Sequence, residues 1–231
     1  MYYIPNFITQ DEEQRILQKA HTLTTKNVLL DAPLPTWLTE PILQRFRKLE
    51  IFDDSPHGGP NHVLLNEYKS GEGIMPHEDG GAYWPMVATV SLGASIVLDI
   101  YDKREGNHED QHIGDGDAPQ ECTVVNRNVV GQKEENAKQE YALKPRWHIL
   151  QEPRSLLVTT STAYTDLMHG IAEIEVDQNL GSDGIANWAL LGDCEVFKDG
   201  SNRRESRISL TYRDVLRVSK LGAKVLGRGK T

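Results

Sequence analysis

The sequence predicts a mainly β fold, a barrel or jelly roll with helices packed on one side. Three observations carry that expectation. Short runs rich in branched residues, bounded by turn signals, recur from residue 62 onward, as strands do. Two helix-period segments precede them, so the helices gather at the front rather than alternating with strands. No internal repeat and no linker interrupts the 231 residues, so a single domain over 1–231 is expected.

Tyr2-Tyr3-Ile4 is a short β-rich start. Thr9-Gln10-Asp11-Glu12 has the form of a capping box, a hydroxyl at the N-cap with a glutamate three residues on. Helix one is expected from about Gln10 to His21, with Ile16, Leu17 and Ala20 on its apolar face. Residues 22–35 show no clear period. Thr39-Glu40-Pro41 then opens a second helix, where Ile42, Leu43, Phe46 and Leu49 are spaced for one buried face. The two helices therefore occupy about 10–50.

Phe52 to Pro60 holds two prolines, two glycines and two aspartates and reads as a loop. The jelly roll is expected over about 60–215. Its strands begin at His62, Val87, Ser95, Ser155 and Arg207. Two polar stretches, about 102–146 and about 178–205, read as insertions between strands, partly mobile.

Composition narrows the class further. Hydrophobic residues are 38% and charged residues 26%, enough apolar matter for one core. No apolar run approaches membrane-spanning length, and MYYIPNF lacks a signal pattern, so an intracellular soluble protein without a membrane partner is expected. Cys122 and Cys194 are too few for a disulfide framework. Net charge is −9, unevenly placed: residues 198–231 carry 10 Lys+Arg against 3 Asp+Glu, and the preceding 197 carry 15 against 31. An acidic body argues against tight non-specific binding to nucleic acid, which needs many phosphate neutralisations.

The chemistry concentrates in HVLLNEYKSGEGIMPHED, residues 62–79. Residues two apart on extended chain share a face, so His77 and Asp79 would project an imidazole and a carboxylate into one pocket. Joined by a second histidine, for which His169 is the candidate, they would make the facial triad of a non-haem Fe(II) oxygenase. A surface turn is the other reading of the triplet. In Arg207-Ile208-Ser209-Leu210-Thr211-Tyr212-Arg213 the same period puts Arg207, Ser209, Thr211 and Arg213 on one face. Either an anion awaits the arginines, whose forks suit a carboxylate, or they line a solvent-facing surface. Asn66 and Tyr68 likewise share a face, as hydrogen-bond partners of a small dianion or as structural residues.

The order Asn66-x-Tyr68, His77-x-Asp79, His169, Arg207-x5-Arg213 resembles the AlkB family of Fe(II)- and 2-oxoglutarate-dependent dioxygenases. The stretches NHVLLNEY, GEGIMPHEDG, VSLGASIVLDIYD, EPRSLLV, AYTDLMHGI and RISLTYR look closest to the sixth eukaryotic AlkB homologue subfamily. The resemblance covers most of the chain outside the two polar insertions. It implies a double-stranded β-helix core, with Fe(II), 2-oxoglutarate and dioxygen as cofactor and co-substrates. It implies that His77, Asp79 and His169 bind iron and that Arg207 pairs with the distal carboxylate of 2-oxoglutarate. Tyr68 and Asn66 would lie beside it, and Arg213 near Asp79 and the chelating end. Ser209 falls where relatives can have an asparagine.

The implied reaction is oxidative demethylation of a modified base in RNA or DNA. The rivals are an oxygenase of protein or a small metabolite, and a catalytically idle nucleic-acid-binding jelly roll. Tyr83, Trp84 and Tyr164 are candidates to stack on a flipped base, or ordinary core residues. The family's longer basic-aromatic segment between the first two helices is missing; His21 to Trp37 holds one lysine. A monomer in nucleus and cytoplasm is expected.

Overall fold

The last strand, β12 (Arg207–Val215), is the one around which the others are assembled. It alternates Ile208, Leu210 and Tyr212 with Arg207, Ser209, Thr211 and Arg213, and every residue but Val215 is buried. It is hydrogen-bonded antiparallel on both sides, to β3 (His62–Tyr68) and β5 (Tyr83–Gly93). Beyond β5 lie β8 (Leu156–Thr160) and β1 (Tyr2–Ile4), and beyond β3 lies β2 (Val28–Asp31), giving the order β1-β8-β5-β12-β3-β2. A second sheet runs β4-β9-β6-β7, formed by Ile74–His77, Leu167–Ile171, Ile96–Asp102 and Trp147–Gln151. Both sheets are antiparallel throughout.

This computed structural model describes residues 1–23, 28–103 and 144–217. The described elements belong to one compact unit, Met1–Asp102 with Pro145–Thr231. The body of the 102–146 stretch, Cys122 and the chain after residue 217 lie outside the described residues.

The two faces of the six-stranded sheet have different neighbours. Ile208, Leu210 and Tyr212 point to the helical side, where Phe7, Ile8, Ile16, Leu38, Ile42, Phe46 and Phe52 complete the main core. Phe46 meets Tyr212 edge-on at 5.2 Å, and the Tyr212 hydroxyl donates to the Leu38 carbonyl at 2.8 Å, so the one polar atom of this ring is satisfied. Helix α1 (Gln10–Ala20) starts with the expected capping box: Thr9 Oγ1 accepts from the Glu12 amide, and the Glu12 carboxylate accepts from the Thr9 amide. The second expected helix divides into α2 (Thr36–Thr39) and α3 (Ile42–Lys48). Ile42 and Phe46 are buried, but Leu49, expected on the same face, caps α3 and is 47% exposed. The inner faces of the two sheets meet through Tyr3, Leu98, Leu157 and Ile171.

The stretch 178–205, read from its polarity as an insertion, contains packed structure. β10 (Val176–Gln178) pairs with β11 (Ser201–Arg203), and two 3₁₀ turns, Trp188–Leu190 and Cys194–Phe197, lie between them. Three of its apolar residues, Leu180, Ile185 and Phe197, bury against Val97 and Leu150 of the second sheet, while Leu190 and Val196 stay exposed. Its polar side chains are satisfied locally, with Arg204 paired to Asp177 at 2.6 Å and Asn187 bonded to both backbone groups of Leu150. Mean polarity therefore understated its order.

Candidate active site

A cavity of about 260 Å³ opens between the sheets, and strand alternation dictates its lining. β12 turns Arg207, Ser209, Thr211 and Arg213 into it, and β3 turns Asn66 and Tyr68. The opposite sheet supplies His77, His169 and Gln151, and Asp79 follows β4.

His77 and His169 are directly opposed in the β4–β9 ladder, their rings 4.4 Å apart at 54°. Gly170 permits that approach, because a Cβ there would stand only 3.0 Å from the Ile74 carbonyl oxygen and the Pro76 nitrogen. His77 Nδ1 lies 2.9 Å from the Met75 carbonyl oxygen. A carbonyl only accepts, so Nδ1 carries a proton and Nε2 is the ring nitrogen left to ligate. Asp79 is divided: Oδ1 pairs with Arg213, and Oδ2 lies 4.0 Å from His169 Nε2. Burial holds the His169 pKa down to about 4, with Asp79 opposing and with His77 and Arg213 reinforcing, so its imidazole is neutral. Among the described residues no three such side chains already form a closed cage for an ion. What converges is two imidazoles and one carboxylate, the donor set that suits Fe(II) with positions left open.

Six residues along β12, Arg207 is only 2% exposed, and it has no carboxylate partner among the described residues. One of its nitrogens donates to Ser91 Oγ at 3.0 Å and to Gln151 Oε1 at 2.9 Å, while its Nε has no partner. Burial lowers its pKa to about 10, which leaves it a cation at neutral pH. The Tyr68 ring lies 5.9 Å from the guanidinium, and the buried Asn66 Oδ1 is also unpartnered. An unpaired buried cation is costly unless an anion completes it. Gly93 lets this end of β12 close on β5: with φ +83° it pairs with Arg207, and a Cβ would come 2.6 Å from the Ser206 oxygen.

The three aromatic candidates separate. Tyr83 lines the cavity, with the Arg213 guanidinium 4.8 Å over its ring. Trp84 does not line it; neighbours on a strand point to opposite faces, and Tyr83 already takes the inward one. Tyr164, in the short helix α4 (Thr162–Thr165), also stays out of the lining. Its hydroxyl donates to the Gly80 carbonyl at 3.2 Å, so it props the turn after Asp79. Burial, then the charge of Asp79, pushes its pKa up to about 12.

Sequence reasoning missed Ser91, Gln151 and Asp214. Ser91 is inward-facing by period, two residues from Thr89, but its contact with Arg207 needs the tertiary fold. Asp214, fully buried, turns from Arg213 toward the helical side. There His57 Nδ1 lies 2.6 Å and Asn61 Nδ2 2.9 Å from its carboxylate, fastening the loop before β3 to the end of β12.

Two facing antiparallel sheets with two histidines, a carboxylate and two buried arginines around one cavity define a class, the jelly-roll oxygenases that use Fe(II) and 2-oxoglutarate. No protein-family model matches the sequence. A Danio rerio protein, "Probable RNA/DNA demethylase ALKBH6", is 30% identical over 237 residues, covering 94% of this chain and 86% of its own length. The Xenopus tropicalis "tRNA (carboxymethyluridine(34)-5-O)-methyltransferase alkbh8" is 36% identical over 75 residues, 32% of this chain and 12% of its own. The solved structure of OsALKBH1 superposes with a TM-score of 0.48 at 14% identity, covering 92% of this chain and 97% of that one. The chain belongs to the AlkB family of Fe(II)/2-oxoglutarate dioxygenases and is close to ALKBH6 within it.

Proposed function

We propose that this oxygenase demethylates a modified base in RNA or DNA, with 2-oxoglutarate anchored by Arg207 and iron held by His77, Asp79 and His169. The observation that carries the site assignment is Arg207, a fully buried cation whose protein partners are both neutral, in the same cavity as the two imidazoles and the carboxylate. The name of the Danio rerio relative, a probable RNA/DNA demethylase, supports the substrate class.

Each side chain then has a physical task. Arg207 receives the distal carboxylate of the oxoacid, with Tyr68 and Asn66 alongside. Arg213 holds one oxygen of Asp79 and so fixes the carboxylate's orientation. The Met75 carbonyl fixes the His77 tautomer. Bound iron supplies the redox chemistry, in which dioxygen and 2-oxoglutarate yield succinate and carbon dioxide while a substrate C–H is hydroxylated. An N-hydroxymethyl base breaks down to formaldehyde without further help. Tyr83 is the aromatic positioned at the cavity to contact an extruded base.

The test is anaerobic titration with Fe(II) and 2-oxoglutarate, then oxygen exposure with succinate as readout, repeated with methylated RNA and DNA oligonucleotides. We expect succinate without substrate, and formaldehyde in step with succinate when a methylated strand is present. A wild-type chain that binds neither iron nor 2-oxoglutarate would defeat the site assignment. Succinate without oligonucleotide-dependent formaldehyde would turn the substrate reading toward protein or a metabolite.

A further inference from the structure

Gln151 ends β7 in the second sheet, is 2% exposed, and reaches across to β5 and β12 of the first. Its Oε1 accepts from Ser91 Oγ at 3.1 Å and from Arg207 at 2.9 Å. A guanidinium only donates, so the amide atom that faces it must be the oxygen. The amide NH2 is thereby turned away from both partners. No hydrogen bond engages that NH2 among the described residues, and Gln151 lines the cavity. An amide donor and a guanidinium Nε, both without protein acceptors, thus stand together at one end.

We propose that Gln151 is a specificity-determining residue for a 2-oxo dicarboxylate. Its carbonyl holds Arg207 in place, and its NH2 donates to the same distal carboxylate that Arg207 receives. The proposal rests on the 2-oxoglutarate reading of this cavity and adds a second anchor to it. A carboxylate offers four lone-pair sites, more than one guanidinium edge occupies, so an amide beside the arginine has an acceptor to meet. A ligand of the same length lacking that carboxylate would leave both donors and the cation unsatisfied.

The test measures binding rather than turnover. Calorimetry on the full chain, loaded with Mn(II), compares 2-oxoglutarate with 2-oxopentanoate, which has the same carbon chain and no distal carboxylate. Wild type is expected to prefer 2-oxoglutarate. Gln151→Met, close in volume and without a donor, should weaken 2-oxoglutarate about tenfold, the order of one hydrogen bond to a charged group, and leave 2-oxopentanoate within about twofold. Gln151→Glu, near-isosteric, sets a carboxylate against Arg207 in the ligand's stead and should cost 2-oxoglutarate about a hundredfold. Equal weakening of both ligands in both variants would mean a packing role only and overturn the proposal, as would unchanged binding. A wild type that does not distinguish the two ligands would instead overturn the 2-oxoglutarate reading itself.

Discussion

The Arg207 end of the cavity and its His77 end differ in how finished they are. Arg207 is buried on a strand paired along both edges, and neutral residues from two sheets hold its guanidinium. His77 sits on a four-residue strand paired on one side, with a register shift between Ile74 and His77 and with Met75, 80% exposed, beside it. Asp79 lies beyond that strand and is kept in place by Arg213. The proposed anion site is thus set by the core, whereas the proposed metal site lies on short, one-sided pairing nearer the rim.

The substitutions that test this difference fall in order of size. His77→Ala and Asp79→Ala should each reduce succinate formation more than about 100-fold, beyond the 10–100-fold that loss of a supporting residue costs. Normal turnover in either would remove it from the metal site. Arg207→Ala should raise the 2-oxoglutarate requirement by about 100-fold, from the loss of charge-assisted bonds, while iron affinity measured without oxoacid stays unchanged. A matching loss of iron affinity would mean that the two ends are not separately built. Gly170→Ala pushes a methyl against Ile74 and Pro76 and should lower iron affinity about tenfold, leaving the Arg207 end intact. Thr9→Ala removes the cap of α1, costs about 1 kcal/mol, and lowers Tm by about 2–4 °C with neither affinity altered.

The sequence made the inward faces of β3 and β12 legible, because a period of two needs no tertiary knowledge. Asn66, Tyr68, Arg207 and Arg213 all line the cavity for that reason. The same rule, applied to Tyr83 and Trp84 together, separates them: adjacent strand residues cannot both face inward. Gln151 was illegible because its importance comes from a contact across sheets with a residue 56 positions away. The 178–205 stretch was misread because polarity was averaged, while Leu180, Ile185 and Phe197 act singly at buried points. β2 was missed as well; it is a four-residue edge strand with Leu29 half exposed, too short to show a period.

The position of β12 has a consequence for how the molecule opens. Its amides lie in the middle of the larger sheet, on a strand buried almost end to end, so their exchange with deuterium should require the most extensive opening. The short β4 forms an edge of its sheet and should exchange through small, local excursions. In a chain under thermal stress, Arg207 would then still be framed after His77 and His169 had parted. The proposed metal site would come apart before the larger sheet did.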